Sequence, residues 1–457
     1  MSLLFAALAL DALFSSATLA GSHTGALVID ASSAKVVYAR HADDAFIPAS
    51  TIKLIVGSVA LDRLGEGFTY TTKLTTDGDA LYVEGGGDPL LAQKDVDDAA
   101  ATVAALDLHA FAGGLHADVR RYQNASRYPD GWQIDDLAYD YGAPVSALNF
   151  NENVVHLAVT GNANPTDPPT IVFTPDIAPP CLQTRVDAGI TEPFLSIAAD
   201  ERGNAGYGLW DCTVVNGSFT PGKTETFDAS VLQPELFALQ AFQRAFAAHG
   251  ITVTVPAYPA YLTDANGRVL WTHQSPPLST LLADMWQPSD NFLAESLLDE
   301  IGLTGGSNRF DTRGQGIDVE TNWLRGIGVD PTTLTIVDGS GMSAYDRVTP
   351  RALVAILAHD WNGPHRGTVL AALPMAGKSG TLEDAFKNTP LAGKVIAKTG
   401  TSNHTRTLAG YLSTPHGTYI FALLVNDWMD RGPGSAARLR AFQQAFLTRI
   451  RDGASGV

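Results

Sequence analysis

The sequence predicts an α/β domain that is split by a long, mostly β insertion. Strand patterns occur near both ends of the chain, and helical patterns lie between them. From about residue 74 to residue 263, short strand-like runs instead alternate with Gly, Pro, Asn and Asp. A chain of 457 residues is also longer than one ordinary domain. These observations indicate one α/β domain that is built from both ends of the chain and interrupted by an insertion.

The first predicted elements are a β-hairpin and a helix. Residues 26–30 and 35–39 read as two strands that are joined by a tight turn. Pro48 then opens a helix, because proline is accepted at a helix start and disfavoured inside a helix. Ser50 should therefore lie near the helix N-terminus, with Lys53 on the same face almost one turn later.

The inserted segment is predicted to be mostly β and to have two parts. Strand-like runs occupy residues 80–83, 154–159 and 170–173. An amphipathic helix is predicted from Pro234 to His249 within the same segment.

The second half of the chain is predicted to be helical until a final group of strands. Helical periodicity returns between Pro277 and Leu303, and Pro288 should break it into two helices. Ser289 would then lie at the break, and Asn291 near the start of the second helix. Further predicted elements are a helix at 350–359, strands at 395–400, 408–412 and 419–425, and a terminal helix at 435–450.

The composition excludes some classes of partner. The formal net charge is −18 and the pI is about 4.9, so the surface repels nucleic acid and anionic membranes. No segment after the first 20 residues has the unbroken apolar length of a membrane span. We therefore expect no nucleic-acid partner and a membrane association that is at most peripheral.

Two features concern export. Residues 1–20 combine an apolar run with small residues before Ala20, as in a secretory signal peptide. Asp11 interrupts the run and no Lys or Arg lies near its start, so a helix of the mature protein is the alternative. Cys181 and Cys212 could form one disulfide in an exported protein, or could remain buried thiols.

The predicted chemistry depends on three motifs, which are Ser50-Thr51-Ile52-Lys53, Ser289-Asp290-Asn291 and Lys398-Thr399-Gly400-Thr401. A serine hydroxyl is a poor nucleophile until a neighbouring group takes its proton. Lys53 could take the proton of Ser50 if burial and the second cation, Lys398, lowered its pKa. Ser289 could relay protons to the leaving group. Asn291 could hold Lys53 and a substrate amide through its two-sided side chain.

The third motif is predicted to bind the substrate. The strand edge from Lys398 through Gly400 to Thr401 can pair with an extended peptide, which then adds to the sheet as a strand. The backbone N–H groups of Ser50 and Thr401 would form an oxyanion hole. Lys398 and Thr399 could bind a terminal carboxylate of the substrate.

Competing motifs fail on inspection. Residues 377–379 end like a P-loop, but Ala372 stands where that motif requires a glycine. Asp338 and Met342 stand where a nucleophile elbow requires its two glycines. A histidine-based serine triad is not excluded by composition, but no motif positions it. The chain has no H-E-x-x-H and its 11 histidines are scattered along the sequence, so neither a metal nor an organic cofactor is predicted.

The three motifs together resemble the S-x-x-K, S-D-N and K-T-G set of penicillin-binding proteins and class A β-lactamases. From about residue 25 to residue 425 the chain resembles the class C low-molecular-mass penicillin-binding proteins, which are D-alanyl-D-alanine carboxypeptidases and endopeptidases. The similar blocks lie at residues 81–89, 130–149, 338–343 and 380–382. The interval from Lys53 to Ser289 is 236 positions (289 − 53), far more than a compact β-lactamase needs.

This resemblance implies the fold. It would be a serine β-lactamase/transpeptidase-like domain, with an antiparallel sheet flanked by helices, that carries two extra domains between the first two motifs. The expected bounds are 21–73 and 264–457 for the catalytic domain, 74–153 and 224–263 for domain II, and 154–223 for domain III.

The resemblance also implies the activity. Ser50, with Lys53 as its general base, would attack the carbonyl between two D-alanines of a peptidoglycan stem peptide. Water would hydrolyse the acyl-enzyme after D-alanine leaves, and β-lactam antibiotics would acylate Ser50 as covalent inhibitors. Trp132 and Asp135 are candidates for a pocket that binds the stem-peptide side chain. An enzyme with this substrate would be exported to the periplasm or cell envelope.

Three alternatives stay open. A serine β-lactamase or an esterase could have the same fold, although the long insertion argues against a β-lactamase. A binding protein that senses β-lactams or anchors to the cell wall could keep the fold without turnover. The complete set of motif residues argues against that reading. The sequence does not decide the balance between carboxypeptidase and endopeptidase activity.

Overall fold

A computed structural model describes residues 10–164, 167–179, 182–188, 194–200, 212–255, 267–305, 311–429 and 432–453. The helices are α1 (Lys53–Leu64), α2 (Gln93–Ala105), α3 (Pro234–Ala248), α4 (Leu278–Trp286), α5 (Asn291–Gly302), α6 (Thr312–Gly326), α7 (Pro350–Asn362), α8 (Arg366–Ala372) and α9 (Ser435–Gly453). The strands of the first half are β1 (His23–Asp30), β2 (Val36–Arg40), β3 (Thr71–Thr76), β4 (Ala80–Glu84), β5 (Ala110–Phe111), β6 (Gly114–Asp118), β7 (Val154–Thr160), β8 (Thr170–Thr174) and β9 (Leu182–Ala188). The remaining strands are β10 (Phe194–Asp200), β11 (Cys212–Phe219), β12 (Thr224–Ser230), β13 (Thr252–Val253), β14 (Arg268–Gln274), β15 (Val395–Ser402), β16 (Thr405–Thr414) and β17 (Gly417–Asn426).

Strands from both ends of the chain form one antiparallel sheet with the order β15–β16–β17–β1–β2. The pairing of β1 with β17 begins at His23 opposite Asn426 and continues along all of β1. Neighbouring residues of a strand face opposite sides of the sheet. Leu27 accordingly packs into the core on one face and Val28 into the core on the other, so both faces of the sheet are covered.

Helix α1 lies at the centre of the helical layer on one face of this sheet. Its residues Leu54, Ile55 and Val56 are completely buried. The indole of Trp286 in α4 packs so close to Gly57 that a β-carbon there would lie 2.2 Å from the ring. This close packing excludes water from the start of α1, where Lys53 is located.

The opposite face is covered by α9 and by residues 10–19. Residues 10–14 are helical, and Phe14 is buried with its ring centroid 5.2 Å from that of Phe442 and 5.8 Å from that of Phe446. The hydroxyl of Tyr38 donates to Asp11 at 2.7 Å. The predicted signal peptide over residues 1–20, and its alternative of a helix in the mature protein, both stay predictions.

Two strand pairings cross the predicted bounds of the inserted domains. Strand β14, at residues 268–274, pairs with β3 in a mixed sheet of order β14–β3–β4–β6. Strand β12 pairs with β7 along its whole length. These partners are distant in sequence, so the local pattern did not show their pairing, and the domain bounds stay predictions.

The inserted domains share one apolar core. Helix α3 contributes Phe237, Phe242 and Phe246, which are all fully buried. Strand β7 adds Leu157, and strand β4 adds Val83 to the same cluster. The two parts of the insertion are therefore packed together behind the catalytic domain rather than joined by loops alone.

The predicted helix break is confirmed, since α4 ends at Trp286 and α5 begins at Asn291. No helix in the described part of the chain is both long and apolar enough to cross a membrane. Cys181 and the side chain of Cys212 lie outside the described residues, so their disulfide stays a prediction.

Candidate active site

Ser50 lies in a short 3₁₀ turn (Ala49–Ile52) that leads into α1. Ala49 has a φ of +45°, which turns the chain sharply before the serine. Two glycines allow other segments to approach this turn. A β-carbon on Gly341 would lie 2.2 Å from the carbonyl oxygen of Ala49, and one on Gly400 would lie 2.7 Å from that of Pro48. The turn is thus held between the loop 338–343 and β15.

Lys53 is completely buried directly below Ser50. Its Nζ donates to Ser50 Oγ at 3.0 Å, to Asn291 Oδ1 at 2.7 Å and to the carbonyl oxygen of Ser340 at 2.6 Å. An ammonium group has three donors, and these three acceptors from three separate segments use all of them. The predicted contact between Lys53 and Ser50 is therefore present, and the lysine is fixed in one orientation.

The charge state of Lys53 suits proton transfer. Burial lowers the pKa of its ammonium group to about 8. Three nearby carboxylates oppose this shift because they stabilise the cation, and they belong to Asp338, Asp290 and Glu295. Near neutral pH a fraction of the lysine is consequently neutral and able to accept a proton.

Lys398 of β15 is the second buried cation. Its Nζ donates to Ser289 Oγ at 2.8 Å and to the carbonyl oxygen of Thr399 at 2.9 Å. Burial and the positive charge of Lys53 hold the pKa of Lys398 well below its usual range. The sequence predicted a pKa of Lys53 lowered by burial and by Lys398, and burial is the largest cause of the lowered pKa of Lys53.

The second motif connects the two lysines. Ser289 has a φ of +73° in the break between α4 and α5, which directs its hydroxyl to Lys398. Asp290 caps α5 by accepting from the N–H of Leu293 at 2.7 Å. Asn291 accepts from Lys53 and donates through Nδ2 to the carbonyl oxygen of Tyr141 at 2.9 Å, so it joins the catalytic domain to the insertion.

The third motif lies on an edge of the central sheet. Within the described part of the chain, the outer edge of β15 pairs with residues 374–376 only at its beginning, where Ala397 N–H donates to the carbonyl oxygen of Pro374. From Thr399 onward the strand lines an open cleft. Thr399 Oγ1 donates to Thr381 Oγ1 at 2.7 Å, which fixes the side chain on the cleft wall.

The cleft has a volume of about 610 Å³. The motif residues that line it are Ser50, Ser289, Asn291, Thr399, Gly400 and Thr401. Lys53 and Lys398 lie beneath its floor, completely buried. The sequence-predicted set is thus brought together from segments more than 100 residues apart. Among the described residues, the group of histidine and carboxylate side chains with metal-ligand spacing does not line this cleft.

The structure does not place Trp132 and Asp135 in the cleft wall. Gln133, Asp136 and Tyr141 are the residues of the insertion that line it. Trp132 instead donates its indole N–H to Asp338 Oδ2 at 2.8 Å, and Asp135 is exposed on a short helical turn. The role of Trp132 and Asp135 in substrate binding stays a prediction, and an irregular loop has no periodicity from which side-chain direction can be read.

A buried acidic pair supports the loop that receives Lys53. Glu295 accepts from the N–H groups of Gly339 at 3.0 Å and Ser340 at 2.8 Å. Asp338 accepts from the N–H groups of Gly341 at 2.6 Å and Ser343 at 2.7 Å. Burial and the charge of Asp338 raise the pKa of Glu295 to about 8. Sequence reasoning missed Glu295, although a charged residue on the apolar face of a predicted helix was an available signal.

Comparison with known proteins agrees with this geometry. Residues 6–445 match the D-Ala-D-Ala carboxypeptidase 3 (S13) family. A D-alanyl-D-alanine carboxypeptidase from Actinomadura sp. (strain R39) is 30% identical over 480 residues, which cover 96% of this chain and 83% of the relative.

Solved structures confirm the predicted fold class. Penicillin binding protein 4 (dacB) from Haemophilus influenzae has a TM-score of 0.84 at 22% identity, over 97% of this chain and 99% of that one. Its complex with a β-lactam gives a TM-score of 0.77 at 20% identity with the same coverage. A predatory peptidoglycan endopeptidase from Bdellovibrio bacteriovorus gives 0.51 at 16% identity, over 95% and 94% of the two chains. The chain belongs to the D-Ala-D-Ala carboxypeptidase 3 (S13) family.

Proposed function

We propose that this serine-type D-Ala-D-Ala carboxypeptidase acts through an acyl-enzyme on Ser50. The observation that carries the assignment is the contact of 3.0 Å between Ser50 Oγ and the buried Nζ of Lys53. A neutral lysine at this distance can take the hydroxyl proton while Ser50 Oγ attacks a carbonyl carbon.

In the first step the Ser50 Oγ–carbon bond forms and the proton of the hydroxyl moves to Lys53. The backbone N–H groups of Ser50 and Thr401 would stabilise the oxyanion. The carbon–nitrogen bond to the terminal D-alanine then breaks. The leaving amine takes up the proton that Lys53 holds, and the proposed relay is the hydroxyl of Ser289, which lines the same cleft and accepts from Lys398 at 2.8 Å.

In the second step water attacks the acyl carbon and gives one proton to the base. The bond from that carbon to Ser50 Oγ breaks, and the hydroxyl is restored with the proton. Both steps use one base and one relay, so no metal or organic cofactor is part of the proposal. In each step Lys53 first accepts a proton and then gives it up.

Substrate binding is assigned to the open edge of β15. An extended stem peptide can pair with this edge beyond Thr399, and the hydroxyls of Thr399 and Thr401 with the buried charge of Lys398 suit its terminal carboxylate. On the other side of the cleft, Gln133 and Asp136 contact the stem-peptide side chain in this proposal.

Peptidoglycan stem peptides and β-lactam antibiotics are the proposed partners. The β-lactam complex of the Haemophilus influenzae protein supports β-lactam binding, since that protein shares this fold. The endopeptidase from Bdellovibrio bacteriovorus supports a second activity, in which the leaving amine belongs to a cross-linked stem rather than to free D-alanine. Because peptidoglycan lies outside the cytoplasm, we place the enzyme in the periplasm or cell envelope.

The test compares the wild-type chain with Ser50→Ala and with Ser402→Ala, a serine of the same cleft wall that has no step in the proposal. Covalent labelling by a fluorescent penicillin and release of D-alanine from a stem pentapeptide are measured together. We expect both in wild type and Ser402→Ala, and neither in Ser50→Ala. Covalent labelling of Ser50→Ala would show that Ser50 is not the nucleophile.

The same assays separate the alternatives. Rapid release of the hydrolysed penicillin, without release of D-alanine, would favour a β-lactamase. Stable labelling without any release from pentapeptide or cross-linked dimer would favour a β-lactam sensor. Release from the dimer alone would identify a strict endopeptidase.

A further inference from the structure

Two histidines and an aspartate meet at the outer edge of the central sheet, apart from the residues that line the cleft. His23 begins β1, His41 follows the end of the edge strand β2, and Asp44 lies in the next turn. We propose that His23, His41 and Asp44 form a binding site for one divalent transition-metal ion of the zinc class. The proposal is independent of the reaction assigned to Ser50.

The spacing of the donor atoms fits such an ion. Asp44 Oδ2 lies 3.7 Å from His23 Nε2 and 3.7 Å from His41 Nδ1, and the three donors all lie within 4.8 Å of one another. Zinc bonds to nitrogen and oxygen are about 2.0–2.1 Å, so neighbouring ligands of a tetrahedral site are about 3.4 Å apart. A shift of a few tenths of an ångström brings the carboxylate and each imidazole to that separation.

The donors are held in place by the fold before any ion binds. The ring of His23 stacks on the fully buried ring of Phe46, with centroids 4.2 Å apart and an angle of 12° between the planes. His41 has a φ of +43°, and its carbonyl oxygen accepts from the N–H of Asp44 at 3.3 Å, which closes the turn. A left-handed conformation is uncommon for a residue other than glycine and needs support from its surroundings.

The donor set indicates the kind of ion. Two imidazoles and one carboxylate suit zinc, nickel and copper, whereas calcium and magnesium prefer oxygen ligands alone. The side chains of the three residues are 37% to 52% exposed, so water can occupy a fourth position. The competing explanation is an ion pair between protonated histidine and Asp44, which would not depend on metal.

The site is connected to the segment that carries the nucleophile. His23 pairs with Asn426 across β1 and β17. The side chain of Asn426 accepts from the N–H of Ile47 at 2.7 Å and donates to its carbonyl oxygen at 3.1 Å. Ile47 precedes Ser50 by three positions. An ion that ties β1 to the turn after β2 should therefore stabilise this end of the sheet against unfolding.

The test uses the full chain without a histidine tag, freed of metal by a chelator and titrated with zinc in a calorimeter. We expect one ion per chain with micromolar affinity, a melting temperature that rises with zinc concentration, and no response to calcium or magnesium. His41→Gln should weaken binding at least about tenfold, since loss even of a group that supports a ligand costs that much. His156→Gln, which removes a histidine paired with Asp228 at 2.8 Å elsewhere, should bind as wild type does.

Penicillin labelling checks that the variants are folded, because neither His41 nor His156 lines the cleft. Copper in place of zinc gives a second readout. The electron paramagnetic resonance spectrum of the copper-loaded His41→Gln variant should show one nitrogen ligand fewer than that of wild type. Absence of binding at zinc concentrations up to about 1 mM would overturn the proposal. Equal binding by His41→Gln and wild type would do the same.

Discussion

The pKa of Lys53 makes the pH dependence of acylation the most direct test of the proposed base. With a pKa of about 8, the neutral fraction of this lysine is about 1% at pH 6, 9% at pH 7, 50% at pH 8 and 91% at pH 9. Only the neutral amine can take the proton of Ser50. The acylation rate constant should therefore rise about ninefold from pH 6 to pH 7 and level off above pH 8.

The assay is stopped-flow measurement of the second-order acylation constant with a fluorescent penicillin, corrected for spontaneous hydrolysis of the antibiotic. Lys53→Arg keeps the positive charge but removes the neutral form, because a guanidinium group does not lose its proton in this range. We expect this variant to acylate about 10²–10⁴ times more slowly than wild type, the usual contribution of a general base.

Two other buried groups could produce the same profile. Burial raises the pKa of Glu152 and of Glu295 to about 8 as well. The measurement is therefore repeated with Glu152→Gln and Glu295→Gln, and an inflection that survives in both belongs to Lys53. A rate that stays constant from pH 6 to pH 9, or a Lys53→Arg variant within tenfold of wild type, would refute the reasoning.

Three further outcomes are expected, each measured by urea unfolding. Gly341→Ala should lower the free energy of unfolding by about 1–3 kcal/mol, since the new β-carbon would lie 2.2 Å from the carbonyl oxygen of Ala49. The variant should also lose most of its labelling by penicillin, and normal labelling would contradict this prediction. Glu320 is fully buried, its carboxylate oxygens have no partner in the described part of the chain, and burial raises its pKa well above 4.5. Because this carboxyl group holds its proton more tightly in the folded than in the unfolded chain, the folded state loses stability as pH rises above 4.5. Glu320→Gln should therefore be more stable than wild type at pH 8 but not at pH 4.5. An equal effect at both pH values would contradict this prediction. Phe14→Ala should lose about 3 kcal/mol, because the ring packs in the core beside α9; a change near zero would show that this packing does not contribute to stability.

The local features of the site were predictable from short stretches of sequence. Pro48 marks the start of a helical segment and Pro288 marks a break between two helices, because the proline ring is tolerated at a helix start and not within a helix. They place Ser50 before α1 and Ser289 in the break before α5. The order of the three motifs then supplied the family and the proposed chemistry.

Pairing and side-chain direction in the insertion were not predictable in this way. Strand β14 pairs with β3, which lies nearly 200 positions earlier in the chain, and neither strand alone indicates this pairing. Trp132 and Asp135 were chosen for the cleft, and the structure places their neighbours Gln133 and Asp136 there. A loop without repeating geometry does not encode which of its side chains face a cavity.

The sequence by itself determined which residue types are present for acyl transfer, in which order, and near which helix ends. Only the tertiary structure decided that Lys53 is fully buried among Ser50, Asn291 and the carbonyl of Ser340, and hence that its pKa falls to about 8. It likewise brought His23, His41 and Asp44 together at one end of the sheet. Helix starts and turns follow from the conformational preferences of a few adjacent residues. Burial and electrostatic environment in the cleft depend on segments hundreds of positions apart, which meet only when the core has formed.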